Sequence, residues 1–134
     1  MIVVENDDGM RRALQRMLEI SGFATETFES AEALLAVDAA TRARCLVLDI
    51  QLPGISGFEL HRRLHAAEVS PPVVYITGYD SAAARDQSVA LGAVAYLPKP
   101  FAVELLVDAV SRASGMPPRA SRDRSAPPGG QPRS

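Results

Sequence analysis

Hydrophobic residues fall into short continuous runs separated by longer stretches in which they recur at helical spacing. Four runs predict buried strands, at 2–4, 45–48, 73–76 and 94–97. Continuous apolar runs are typical of strands covered on both faces, as in a parallel sheet. Residues 23–28 instead alternate apolar and polar positions. This alternation predicts a less buried strand, close to an edge of the sheet.

Helical patterns follow each predicted strand. Apolar residues recur at i, i+4, i+7 and i+8 through 10–18, and a continuous stripe covers 102–113. Shorter helices are predicted at 31–37, 58–67 and 81–91. The last of these is rich in alanine and has a thin apolar face, which makes it a candidate mobile element. Five βα units with right-handed crossovers predict an α/β fold in which helices cover both faces of a parallel sheet.

Two segments show no periodicity. Residues 38–44 are interpreted as a polar link between a helix and a strand. Residues 115–134 are rich in Pro, Gly, Ser and Arg and are interpreted as a disordered tail or a severed linker. The sequence therefore predicts one folded domain, residues 1–114.

Polar side chains stand where four of the predicted strands end. Glu5 and Asn6 follow the first run, Asp49 follows the second, and Thr77 follows the third. Lys99 follows the last run and is the only lysine in a chain with thirteen arginines. The carboxyl ends of parallel strands meet at one edge of the sheet, where open α/β sheets bind ligands. We therefore expect these side chains to converge.

Asp49 is the best candidate nucleophile of this group. A carboxylate at a strand end can attack a phosphoryl donor and form an acyl phosphate. Lys99 can offer an ammonium, and Thr77 a hydroxyl, to phosphoryl oxygens. Taken singly, each residue also fits an ordinary loop, turn or helix-cap position. Their joint placement at four strand ends favours a site for phosphoryl chemistry.

Oxygen donors near Asp49 predict a metal site as well. Glu5, Asn6, Asp49 and the backbone carbonyl of Gln51 would form an oxygen-lined site, which suits a hard octahedral cation such as Mg²⁺. Such a cation neutralises charge on a transferring phosphoryl group. The alternative is that the acidic residues only cap the first helix, a role that fits Asp7 and its neighbour Asp8.

Composition narrows the function classes. The chain of 134 residues has a formal net charge of −2, and because its last twenty residues contribute +3, residues 1–114 carry −5. This acidic balance and an aromatic content of 5% disfavour direct nucleic-acid binding. No apolar segment approaches the roughly 20 residues that cross a bilayer, so a cytoplasmic location is expected. Cys45 is the only cysteine, which excludes intrachain disulfides.

Four motifs together resemble the receiver domain of two-component response regulators. They are VVEND at 3–7, LDIQLPGISG at 48–57, ITG at 76–78 and YLPKPF at 96–101. The resemblance covers 1–114 and is strongest to receivers of nitrogen-fixation regulators. It implies a flavodoxin-like, doubly wound sheet of five parallel strands in the order 2-1-3-4-5, flanked by five helices.

The resemblance also implies roles for individual residues. Asp49 would be phosphorylated by a sensor histidine kinase or a phosphotransfer protein, with Mg²⁺ held by the predicted metal ligands. Lys99 would bridge to the phosphoryl oxygens, Thr77 would move towards them, and Tyr96 would swing inward. The bond before Pro100 would be cis. The switch surface would be the fourth helix, fifth strand and fifth helix, with phosphorylation-dependent dimerisation as a possible output and no enzymatic turnover of other substrates.

One departure from the family pattern leaves alternatives open. Asn6 stands where a second acidic residue is usual, so the metal site lacks one negative charge. The first alternative is a pseudo-receiver, an interaction module that has the fold but weak or no phosphorylation. The second is an aspartyl-nucleophile hydrolase of the haloacid-dehalogenase kind. That class places another aspartate two residues after the nucleophile, where this chain has Gln51.

Overall fold

The computed structural model describes residues 1–115 and contains one five-stranded sheet. All strand pairs are parallel, in the order β2-β1-β3-β4-β5. The predicted doubly wound fold and strand order are confirmed, and so is the edge position of the alternating strand. The predicted tail, apart from Gly115, lies outside the described residues. The strands are β1 (Ile2–Val4), β2 (Glu26–Phe28), β3 (Leu46–Asp49), β4 (Val73–Thr77) and β5 (Ala95–Pro98).

In the described part of the chain, five α-helices connect or follow the strands, as predicted. None within 1–115 has the length and apolar character needed to span a bilayer. The segment 38–44 departs from its interpretation as a polar link, because Ala39–Arg42 forms a 3-10 helix. Ala39 and Ala40 are buried against the core, which explains the ordered turn. The α-helices are α1 (Asp8–Ile20), α2 (Ala31–Leu35), α3 (Gly57–Ala66), α4 (Ala82–Ala90) and α5 (Val103–Ser114).

Alternate residues of β1, β3, β4 and β5 contribute to two hydrophobic cores, one on each face of the sheet. On β1, Val4 belongs to the core beneath α2 and α3, whereas Val3 belongs to the core beneath α1 and α5. Leu60 of α3 and Leu106 of α5 are fully buried, one in each core. Burial on both faces explains why the central strands are continuously apolar. The thin apolar face predicted for α4 is seen in its burial, since only Ser88 of that helix is buried.

Side-chain hydrogen bonds cap the N-termini of α1, α3 and α4, which begin near the carboxyl edge of the sheet. The Asp7 carboxylate accepts a hydrogen bond from the Met10 amide at 2.8 Å, which confirms it as the cap of α1. Ser56 and Ser81 cap α3 and α4 in the same manner. Each cap satisfies an amide that the first helical turn leaves without a partner. These caps fix where α1, α3 and α4 begin, at the ends of the loops that follow β1, β3 and β4.

Gly57 lets α3 begin directly behind Asp49. Its amide donates to the Ile50 carbonyl at 3.1 Å. A Cβ atom at this position would lie 2.4 Å from the Asp49 carbonyl oxygen, which is shorter than any ordinary contact. The neighbouring atom is backbone and cannot rotate away. Glycine is therefore required for the close packing that fixes the end of β3.

Candidate functional site

Three of the predicted polar residues meet at the carboxyl edge of the sheet. The Lys99 ammonium donates to Glu5 Oε1 at 2.8 Å and to Asp49 Oδ2 at 3.0 Å. Glu5 is 2% exposed and Asp49 is 5% exposed. These side chains come from the ends of β1 and β3 and from the residue after β5. Parallel pairing therefore places two buried carboxylates on one cation.

The other two carboxylate oxygens accept from backbone amides. Glu5 Oε2 accepts from the Asp7 amide at 3.0 Å, and Asp49 Oδ1 accepts from the Gln51 amide at 2.9 Å. All four carboxylate oxygens thus have a donor, and both groups are held in one orientation. Each oxygen has a further lone pair that can bind another group.

Burial sets the electrostatics of the site. Removal from water, reinforced by the negative charge of Glu5, raises the pKa of Asp49 above its usual range. The bonds from Lys99 and Gln51 oppose this rise without cancelling it. Burial alone would lower the pKa of Lys99, but its bonds to the two carboxylates outweigh burial and raise it. With both carboxylates ionised, a single ammonium leaves the cluster with excess negative charge.

Thr77 reaches the site through Gln51. Its hydroxyl donates to Gln51 Oε1 at 2.7 Å and accepts from the Tyr79 amide at 3.0 Å. Thr77 is fully buried, and its carbonyl accepts from the Lys99 amide at 2.7 Å. The peptide bond between Lys99 and Pro100 is cis. The hydroxyl is therefore engaged by Gln51 and Tyr79, in the loops that follow Asp49 and Thr77.

Asn6 and Asp7 differ from Glu5 in their surroundings. Asn6 is exposed, and its backbone carbonyl accepts from Arg11 Nη1 at 3.4 Å. The same Arg11 nitrogen donates to the Glu5 carbonyl at 3.0 Å. These contacts of Arg11 were not predicted, because nothing in the helical pattern distinguishes Arg11 from the adjacent Arg12. Asp7 does not replace the missing carboxylate, since its side chain caps α1.

Tyr96 lies outside the carboxylate cluster. Its hydroxyl donates to Asp80 Oδ1 at 3.0 Å, in the loop between β4 and α4. The tyrosine side chain is half-buried and packs against the core that includes Tyr75. The family resemblance implies a switch role for Tyr96, but Asp80 was not predicted as its partner.

The donor chemistry of the cluster fits a hard cation. Glu5 and Asp49 supply carboxylate oxygens, and Asn6 and the Gln51 carbonyl can supply neutral ones. Within residues 1–115, no group of three His, Cys, Asp or Glu side chains is placed to hold a metal ion. Two carboxylates with neutral oxygens suit a cation that also keeps waters or phosphoryl oxygens in its shell.

Comparison with known families and proteins identifies relatives over most of the chain. The sequence model of the response regulator receiver domain matches residues 1–111. The chain is 35% identical over 112 residues to the transcriptional regulatory protein FixJ of Rhizobium meliloti, covering 84% of this chain and 55% of that protein. It is 33% identical over 111 residues to the C4-dicarboxylate transport transcriptional regulatory protein DctD of Rhizobium meliloti, covering 83% of this chain and 24% of that one.

The fold agrees with a solved structure at the same level of identity. The crystal structure of FixJ-N superposes with a TM-score of 0.77 and 34% identity, over 85% of this chain and 91% of that one. The chain spans about half of the length of FixJ and a quarter of that of DctD. The similarity therefore concerns the receiver portion of these longer regulators.

The raised pKa of Asp49 predicts that Asp49→Asn stabilises the protein when a chelator excludes divalent cations. The folded state holds this proton more tightly than the unfolded state, so wild type loses stability as pH rises from the ordinary value of 3.8 through the folded pKa. Asp49→Asn has no ionisable group at this position, so its stability does not fall in this way, and Lys99 then pairs with Glu5 alone. We expect the free energy of unfolding of Asp49→Asn, measured with urea, to exceed that of wild type by about 1 kcal/mol at pH 7. This difference should shrink towards pH 4.

The exposed residue Asp86 on α4 provides the control for this experiment. Asp86→Asn removes the same charge from the chain without touching the cluster. It should change stability by less than about 0.5 kcal/mol. A destabilised Asp49→Asn protein at pH 7 would show that Lys99 more than compensates for the burial of both carboxylates.

Proposed function

The chain belongs to the response regulator receiver domain family of two-component signalling, and we propose that it accepts a phosphoryl group on Asp49 from a histidine kinase or a phosphotransfer protein. The observation that supports this most is the buried Asp49 carboxylate at the end of β3, with one oxygen on the Lys99 ammonium. We place the domain at residues 1–114, because α5 ends at Ser114.

The reaction is a transfer between two nucleophiles. An Asp49 carboxylate oxygen attacks the phosphorus of a phosphohistidine, the P–N bond breaks, and the imidazole leaves with the electron pair and takes up a proton. The product is an acyl phosphate on Asp49. A carboxylate whose pKa is raised by burial is a better nucleophile than an exposed one. Lys99 stays close enough to pair with the charge that the phosphoryl group brings.

Mg²⁺ would be held by Glu5, Asn6, Asp49 and the backbone carbonyl of Gln51. When bound, the cation neutralises charge on the phosphoryl oxygens. Asn6 contributes no charge, so the protein supplies two carboxylates rather than three to this site. We therefore propose a phosphoacceptor with a high Mg²⁺ requirement.

The switch would start from Thr77. To reach a phosphoryl group on Asp49, the Thr77 hydroxyl must give up its bond to Gln51 Oε1. Its movement would free Tyr96 and alter the surface formed by α4, β5 and α5. Val103 and Leu105 are large exposed hydrophobic residues of α5, one of the elements that form that surface. They suit a homodimer that forms after phosphorylation.

A pseudo-receiver remains the second candidate, because Asn6 is exposed and neutral at a position where a metal ligand is needed. Such a module would bind partners through the same fold without a phosphorylation cycle. Metal-dependent labelling by a small phosphodonor separates the two candidates.

The first test concerns the acceptor. With phosphoramidate and Mg²⁺, intact-mass measurement should show one added phosphoryl group, and Asp49→Asn should remove at least about 99% of it, because an amide is not a nucleophile for this reaction. Asp86→Asn should label like wild type. Labelling of Asp49→Asn at the wild-type rate would reject Asp49 as the acceptor. No labelling of wild type at saturating Mg²⁺ would favour the pseudo-receiver.

The second test concerns the metal. Asn6→Asp adds a carboxylate next to Glu5 and strengthens the attraction for a divalent cation. We expect the Mg²⁺ concentration for half-maximal phosphorylation to fall roughly tenfold, which corresponds to about 1.4 kcal/mol. Asn6→Ser, which adds no charge, is the matched control. Equal requirements in wild type and Asn6→Asp would show that residue 6 does not limit metal binding.

A further inference from the structure

A bidentate ion pair lies next to the proposed switch but outside the acceptor site. Arg85 of α4 donates from Nε to Asp80 Oδ1 at 3.0 Å and from Nη2 to Asp80 Oδ2 at 2.9 Å. Asp80 lies in the loop before α4, three residues after Thr77. Two parallel bonds fix the relative orientation of a guanidinium and a carboxylate far better than one. The pair therefore ties the loop after β4 to the first turns of α4.

The same ion pair contacts Tyr96 at two places. The Tyr96 hydroxyl donates to Asp80 Oδ1 at 3.0 Å, and its oxygen accepts from the Ser81 amide at 3.4 Å. The Arg85 guanidinium carbon lies 4.9 Å from the centre of the Tyr96 ring, within range of a cation–π interaction. Both the ring face and the hydroxyl of Tyr96 are thus held by residues 80–85.

We propose that Asp80 and Arg85 are positioning residues that hold Tyr96 away from the acceptor site in the unphosphorylated protein. We call these two residues the Tyr96 brace. This inference rests on the proposed function, because it assigns the brace to the resting state of the phosphorylation switch. It goes beyond the family resemblance, which concerned Tyr96 itself and not the residues that restrain it.

A chain of hydrogen bonds links the acceptor site to the brace. Gln51, two residues after Asp49, accepts from the Thr77 hydroxyl at 2.7 Å. That hydroxyl accepts from the Tyr79 amide at 3.0 Å, and Tyr79 directly precedes Asp80. If Thr77 turns towards a phosphoryl group, the Tyr79 amide loses its acceptor. The backbone that positions Asp80 is then released, and the brace loosens.

The ion pair of the Tyr96 brace is partly exposed to water, so the restraint that it places on Tyr96 is weak enough to be reversed. The Arg85 and Asp80 side chains are 52% and 43% exposed, and pairs in such positions are weakened by water and salt. A restraint of this kind changes the ratio of outward to inward Tyr96 by a few-fold rather than by orders of magnitude. Phosphorylation can overcome it, and loss of the brace should partly mimic activation.

The test measures Tyr96 directly in unphosphorylated protein. Tyrosine labelled with ¹³C at the ring ε position gives signals for the three tyrosines, and relaxation enhancement by a neutral paramagnetic cosolute reports the exposure of each ring. The buried Tyr75 and the exposed Tyr79, at 75% exposure, provide internal references. Asp80→Ala and Arg85→Gln should each lower the enhancement at Tyr96 by about 1.5- to 3-fold as the ring moves inward.

An ion pair on α3 supplies the matched control. Arg63 and Glu59 are joined at 3.2 Å and are 53% and 42% exposed, close to the values for Arg85 and Asp80. Arg63→Gln removes a similarly exposed ion pair that does not contact Tyr96, so the enhancement at Tyr96 should not change. Asp80→Glu keeps a charged acceptor and should restore part of the wild-type value.

A second readout links the brace to phosphorylation. In Asp80→Ala and Arg85→Gln, Tyr96 should already lie partly inward before phosphorylation. These variants should therefore accept phosphoryl groups from phosphoramidate about two- to fivefold faster than wild type and Arg63→Gln. The proposal is contradicted if the relaxation enhancement at Tyr96 is unchanged in both Asp80→Ala and Arg85→Gln. It is also contradicted if Arg63→Gln changes that enhancement equally. Failure of wild type to accept a phosphoryl group rejects the proposed function instead, and the ring measurement then still decides whether the brace exists.

Discussion

The pairing of Lys99 with two buried carboxylates is the interaction on which the rest of the site depends. Glu5 and Asp49 are almost inaccessible to water, and a charge buried without a partner is strongly destabilising. Asp49 and Lys99 do not follow neighbouring strands, because β4 lies between β3 and β5. Lys99 must therefore reach past the end of β4 to Asp49. A long, flexible side chain with a compact ammonium meets this need better than the planar fork of arginine.

The charge balance of the cluster favours the binding of a cation, as the proposed phosphoryl acceptor requires. One ammonium does not neutralise two carboxylates, and the raised pKa of Asp49 shows that burial and the Glu5 charge prevail over Lys99. A cation at the free lone pairs would relieve this imbalance. Asn6 makes the imbalance smaller than a third carboxylate would, which weakens the attraction for the cation.

Sequence patterns predicted the parts of the structure that depend on periodicity and strand order. Continuous apolar runs marked the central strands, alternation at 23–28 marked the edge strand, and polar residues at strand ends marked Glu5, Asp49 and Lys99 as neighbours. These features follow from which face of an element is buried.

Features that depend on loop geometry were not predictable in the same manner. The bond from Thr77 to Gln51 joins residues in different loops, and the Tyr96 brace requires the turn that brings Asp80 back to Arg85. The 3-10 helix at Ala39–Arg42 was missed because its two buried alanines form no repeating pattern. In each case the spacing in the chain carries no signal until the strands are placed side by side.

A double-mutant cycle on Lys99 and Asp49 tests the central claim most directly. Urea unfolding at pH 7 with a chelator would compare wild type, Lys99→Met, Asp49→Asn and the double variant. If the Lys99 ammonium offsets part of the cost of burying both carboxylates, Lys99→Met should cost about 3 kcal/mol in wild type and at least about 1 kcal/mol less when residue 49 is already neutral. Additivity within about 0.5 kcal/mol would contradict the proposed pairing, because it would mean that Lys99 and Asp49 affect stability independently of each other.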